Sequence, residues 1–139
     1  MSMWEMVLAL FAVVLFTSIS LGYNQALWRQ TDYLNNATLV VQANHICHAV
    51  LDEIDAKMFS KDLNFLNIVS MFHDSTRVVY YPHLQQSFTV KIAAINSDSL
   101  GHSLPNPNSI FKTVSVTVSG PSALKHNVSL KRIYTKTNM

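Results

Sequence analysis

The chain opens with a long run that carries almost no charge. Within the stretch MSMWEMVLALFAVVLFTSISLGYNQ the only charged side chain is Glu5, and the next charge along the chain is Arg29. Residues 6–21 are mostly apolar, slightly fewer than the roughly 20 residues that a membrane-spanning helix needs. As a helix, residues 1–26 would be about 39 Å long. The run is therefore long enough to cross a bilayer, provided that Glu5 lies near one face.

The charges around this run argue against a signal peptide and make a plain membrane anchor costly. A secretory signal peptide begins with basic residues, whereas here an acid occupies that place. A plain membrane anchor is the alternative, but a lone glutamate in or beside a span is costly and usually has a partner. A span whose C-terminal domain lies outside also needs a basic cytoplasmic flank. We therefore expect that a basic leader preceded Met1 and was removed, so that Met1 is a mature N-terminus.

A helical pattern continues well beyond the apolar run. No proline occurs before Pro82, and Gly22 is the only glycine before Gly101. Apolar residues recur mostly at three- and four-residue steps and form one stripe, which is typical of an amphipathic helix. We predict one helix over residues 2–57, apolar all round in its first half and one-sided in its second. The predicted stripe consists of Val40, Ala43, Cys47, Val50, Leu51, Ile54 and Met58.

The remaining residues favour a small sheet. A short helix or connection is predicted over 65–72, and a loop over 96–109 that contains Gly101 and two prolines. β-Branched and aromatic residues mark four strands, and the last two alternate apolar and polar residues. We predict an α+β fold in which the amphipathic half of the helix packs on a four-stranded antiparallel sheet. The predicted strands are 76–81, 87–95, 111–119 and 127–135.

We divide the chain into an apolar helix that protrudes, residues 1–27, and a globular head, residues 28–139. The N-terminus resembles that of the type IV pilins and the related pseudopilins of type II secretion. Met1, Glu5 and the run 6–16 carry the resemblance, and the order of apolar helix, amphipathic helix and small sheet adds to it. The chain departs from the family at Met3-Trp4, where Thr-Leu is frequent, and at Gly22, where many relatives have proline.

The resemblance implies a specific assembly contact. In the family, the fifth-position glutamate pairs with the N-terminal amine of a neighbouring subunit, and that amine is methylated after a peptidase removes the leader. Carried over, Glu5 would meet the amine of Met1 on the next copy. Ser20 and Gly22 would form a patch where the helix loosens in the filament, since both are weak helix formers.

The function implied is that of a structural subunit of an extracellular filament for adhesion, motility or surface contact. Its partners would be copies of itself, preceded by the inner membrane and the pilus assembly machinery before polymerisation. Two alternatives stay open at this point. One is a pseudopilin of a type II secretion or DNA-uptake machine, and the other is a single-span membrane-anchored binding protein.

Composition argues against several other classes. The net charge is +2, and the ten Lys and Arg residues are scattered, so no nucleic-acid partner is expected. A single cysteine, Cys47, excludes an internal disulfide. No nucleophile, base and stabilising group occur together in the pattern of an active site, so we expect neither enzymatic activity nor a cofactor.

One cluster has the residue types of a metal site. His45 and His48 are three residues apart on the helix, with Cys47 between them, and Asp52 or His73 could supply another ligand. Because Cys47 falls on the apolar stripe, we expect it to be a core residue and the site to hold no metal. Residues 52–55 contain three acids, but they lack the oxygen-rich loop of a calcium site.

Overall fold

Helix α1 is the longest element of the fold and contributes to both of its compact units. The computed structural model describes residues 2–136, and α1 extends over Met3–Phe59 as a single helix. The predicted helix over 2–57 is therefore confirmed. The chain forms two compact units whose boundary lies between Ala37 and Thr38, so α1 belongs to both. The proposed division at residues 27 and 28 concerns which part enters a membrane or filament, and it stays a prediction.

The first unit exposes nearly all of its apolar side chains. Between Met3 and Trp28, the large apolar residues are 42–78% exposed. The hydroxyls of Thr17 and Ser18 donate to the carbonyls of Val13 and Val14, at 2.8 and 2.9 Å, which satisfies these polar groups within the helix itself. This part of α1 is long and apolar enough to cross a membrane by length and composition.

A short connection follows α1. A 3₁₀ turn covers Phe65–Asn67, and helix α2 covers Ile68–Met71, in agreement with the short element predicted over 65–72. Asn64 caps the 3₁₀ turn, because its side-chain oxygen accepts the backbone N–H of Leu66 at 3.1 Å. The fully buried Ile68 anchors this segment in the core.

The four predicted strands form one antiparallel meander in the order β1-β2-β3-β4. The pairing brings Ile92 opposite Val116, and Val116 opposite Leu130. Strand β2 is longer than predicted and reaches Ser97, where a loop was expected, because Ser97 pairs with Phe111 and also forms a bridge with Ser103. The strands are Ser75–Tyr81 (β1), Gln86–Ser97 (β2), Phe111–Ser119 (β3) and Val128–Thr135 (β4).

The core lies between the second half of α1 and one face of the sheet. Its helix side differs from the predicted stripe in two places. Leu39 is buried, whereas Val40 is 37% exposed, so the prediction for Val40 was wrong, and Ile46 is buried although the predicted stripe did not include it. The neighbouring positions differ by about 100° around a helix, and the three- and four-residue steps begin at Leu39. The thiol of Cys47 lies 3.7 Å from the carbonyl oxygen of Val116, which places the middle of the stripe on β3. The buried positions of α1 are Leu39, Ala43, Ile46, Cys47, Val50, Leu51 and Ile54.

This core gives a direct test of the fold. Ile92 is fully buried at the centre of β2, whereas Val78 on β1 is 68% exposed. Replacing Ile92 by Ala should lower the free energy of unfolding by about 2–5 kcal/mol, because it removes buried methylene groups and leaves a cavity. Val78→Ala is the matched control and should change it by less than about 0.5 kcal/mol. Urea unfolding of the detergent-solubilised full chain measures both, and equal effects of the two substitutions would contradict the described core.

Candidate functional site

The predicted assembly residue Glu5 lies in the first turn of α1. Its Oε2 accepts the backbone N–H of Ser2 at 2.8 Å. Since α1 begins at Met3, Ser2 is the N-cap and Glu5 is the third helical residue, so this bond is the glutamate half of a capping box. The negative charge also lies at the positive end of the helix dipole. The spacing Ser-x-x-Glu signals this cap in the sequence, and our prediction had not used it.

The cap leaves the charge of Glu5 without a counter-ion. Glu5 is exposed and forms no salt bridge with any residue in the range 2–136. Met1 lies outside the described residues, so the predicted pair between Glu5 and a Met1 amine stays a prediction. A positively charged partner for this carboxylate therefore has to come from outside residues 2–136 of the same chain.

Ser20 and Gly22, the predicted loosening patch, are part of an unbroken helix. Both residues are exposed and helical. A Cβ added at Gly22 would meet no atom within 4 Å, so packing in this chain gives no reason for glycine there. The proposed loosening concerns an assembled filament and stays a prediction.

The candidate metal ligands do not converge. His45 and His48 are exposed, whereas Cys47 is buried and faces the sheet. Among residues 2–136, no group of three or more His, Cys, Asp or Glu side chains is placed to hold a metal ion. Burial also raises the pKa of the Cys47 thiol. The thiol is therefore poorly suited to metal binding or nucleophilic chemistry, both of which need the thiolate.

The three acids near the end of α1 bind arginines and a lysine. Glu53 contacts Lys57 at 2.5 Å and Arg77 of β1 at 3.0 Å, and the hydrogen bond from Lys57 is the main reason that the pKa of Glu53 is lowered. Arg132 of β4 bridges Asp52, at 3.3 Å, and Asp55. These pairs connect α1 to both edge strands, and the carboxylates already have cationic partners within the fold.

A row of three polar residues crosses the core face of the sheet. Asn96 on β2 lies opposite Lys112 on β3, which lies opposite Tyr134 on β4. Lys112 is only 2% exposed. Its Nζ donates to the carbonyl of Leu66 at 2.9 Å and lies 5.0 Å from the centroid of the Phe65 ring. Burial lowers the pKa of Lys112, because it disfavours the charged ammonium.

The same row contains polar atoms without partners. The Oδ1 of Asn96 and the hydroxyl of Tyr134 are buried, and neither forms a hydrogen bond within the described part of the chain. Burial and the neighbouring Asp55 carboxylate raise the pKa of Tyr134. The sequence signal for this row was the alternation of β3. Lys112 lies two residues before the buried Val114 and therefore on the same face of the strand. Tyr134 is itself buried.

Gly22 offers a test of the loosening patch. Gly22→Ala should stabilise the helix locally by about 1 kcal/mol, because alanine restricts the unfolded backbone and its methyl group meets nothing. In the detergent-solubilised full chain, amide hydrogen exchange around residue 22 should then slow by roughly fivefold. Ala26→Gly, on the same exposed part of α1, is the matched control and should accelerate exchange. Unchanged exchange in Gly22→Ala would show that glycine does not weaken this part of the helix.

Comparison with known proteins adds no family to these observations. No protein-family model matches the chain, and no curated protein or solved structure matches it. The function proposed below is therefore supported by the residues and their geometry, together with the resemblance at the N-terminus.

Proposed function

We propose that the chain is the structural subunit of an extracellular, type IV pilin-like filament that polymerises through the first part of α1. The observation that carries this proposal is the exposed apolar surface between Met3 and Trp28, which has a single charge, at Glu5, and nothing covering it among residues 2–136. A contiguous exposed apolar surface of this length far exceeds what an ordinary soluble monomer presents. Lipid or other protein must cover it.

The position of Glu5 favours other protein chains, rather than lipid, as the molecules that finally cover the apolar helix. The cap from Ser2 supplies one hydrogen bond to the carboxylate, but it supplies no positive charge. A carboxylate that enters an apolar environment needs a cation and further hydrogen bonds to offset the loss of water. The amine of Met1 on a neighbouring copy would provide both, as the resemblance implies. Glu5 would then fix the axial register between copies.

The second unit suits a role outside the bundle of apolar helices. The second half of α1 is fixed to the sheet by the buried core and by the pairs of Arg77 and Arg132 with its acids. This unit has its own core, and its outer sheet face mixes serines and threonines with exposed apolar side chains such as Val78 and Tyr80. In the filament it would form the surface that adheres to other cells or materials, and before assembly the apolar helix would lie in the inner membrane.

The test uses a variant that changes the charge and keeps the cap. Glu5→Gln retains the bond to the Ser2 N–H, because the side-chain oxygen of glutamine also accepts it. Removing one member of a buried ion pair costs about 3–5 kcal/mol, so the fraction of the chain in sheared filaments should fall at least about a hundredfold. Membrane insertion should not change. Quantitative immunoblotting of filament and membrane fractions from producing cells measures both.

Asp32→Asn is the matched control, since it removes another exposed carboxylate on the same helix. It should assemble like the unmodified chain. Normal assembly of Glu5→Gln would contradict the proposed role of the charge. If the unmodified chain occurs only in the membrane fraction, the single-span anchored protein is the correct alternative, and short assemblies confined to the envelope would indicate a pseudopilin.

A further inference from the structure

The polar row on the core face of the sheet combines an amine and an amide in an unusual setting. Lys112 and Asn96 are direct cross-strand partners on β3 and β2, and both side chains belong to the face that packs against α1 and the 3₁₀ turn. The ammonium has a carbonyl and a ring as neighbours, with no carboxylate in a salt bridge with it among residues 2–136. A buried charge without a counter-ion is costly, and so is a buried amide oxygen without a donor.

We propose that Lys112 and Asn96 are the two halves of a covalent cross-link, an amide bond between the side chains of β2 and β3. Directly opposed residues on one face of an antiparallel pair have Cβ atoms about 4.5–5.5 Å apart. The four-carbon stem of Lys112 spans that separation. On this proposal, Nζ reaches the Asn96 side chain by rotating away from the Leu66 carbonyl.

The reaction balances without a further reactant. The uncharged Nζ of Lys112 attacks Cγ of Asn96, and a bond forms between these two atoms. The bond from Cγ to Nδ2 breaks, and a proton from Nζ passes to Nδ2, which leaves as ammonia. No electrons are gained or lost overall.

The setting favours this chemistry in two ways. Burial shifts Lys112 toward its uncharged, nucleophilic form, since the apolar surroundings penalise the ammonium. Direct opposition on neighbouring strands places the two residues side by side, so that a local side-chain rotation replaces a bimolecular encounter. The product removes the buried charge.

The cross-link would tie the second strand to the third at the end of the sheet near the 3₁₀ turn. It does not depend on filament formation, because both residues belong to one chain and one compact unit. It would be a covalent modification of the second unit whichever of the functions above is correct.

Intact mass spectrometry of the purified, denatured full chain tests the proposal. The mass should be lower than the sequence requires by one molecule of ammonia, apart from any processing at the N-terminus. Proteolysis should yield the segments around Asn96 and Lys112 as one linked peptide. Lys112→Met and Asn96→Ala should each restore the lost mass, and Lys131→Met, which removes an exposed lysine on β4, should not.

A competing reaction is distinguishable. A succinimide formed at Asn96 by backbone attack also loses ammonia, but it would persist in Lys112→Met and would yield no linked peptide. That result overturns the proposal, as does recovery of two separate unmodified peptides from the unmodified chain. If Lys112→Met does not fold, the peptide map of the unmodified chain alone still decides between these outcomes.

Discussion

One helix has to satisfy two different surroundings. The first part of α1 exposes apolar side chains on all sides, and from Leu39 onward the same helix buries a single stripe against the sheet. The second unit owes its core to that stripe, because an antiparallel sheet with one apolar face needs a covering layer. The first unit has no such layer among the described residues. The proposed function is based on this difference, since lipid or other chains would cover an apolar surface that residues 2–136 leave exposed.

The charged residues support the same division. In the second unit, the acids of α1 meet Arg77 and Arg132, which hold the helix to both edge strands. In the first unit, the carboxylate of Glu5 has a cap but no cationic partner among residues 2–136. A helix cap explains why a glutamate occurs three residues after a serine, and it explains the helix start. The cap does not neutralise the charge of Glu5. The same residue can therefore cap the helix and also pair with a cation during assembly.

Much of the fold was predictable because its signals are local. The absence of proline allowed one long helix, and the apolar stripe that stops at Met58 indicated where α1 ends. The alternation in β3 indicated its bounds and its buried valines. The helix stripe was displaced at one end, since Val40 and Leu39 are equally apolar and only tertiary packing decides between them. The arginine pairs were not predictable, because they join residues that are far apart in sequence. Lys112 was overlooked because a lysine ordinarily lies at the surface. Its position in β3, on the same face as the buried valines, indicated that it would be buried.

The central claim is that other copies of the chain cover the apolar part of α1. A photo-activated amino acid in place of Val13, which is 64% exposed, tests it in cells that produce the protein. After irradiation, the account predicts a ladder of cross-linked species at multiples of the mass of the chain. Labelled monomers that carry only lipid adducts would contradict it, and would show that this surface remains in the membrane.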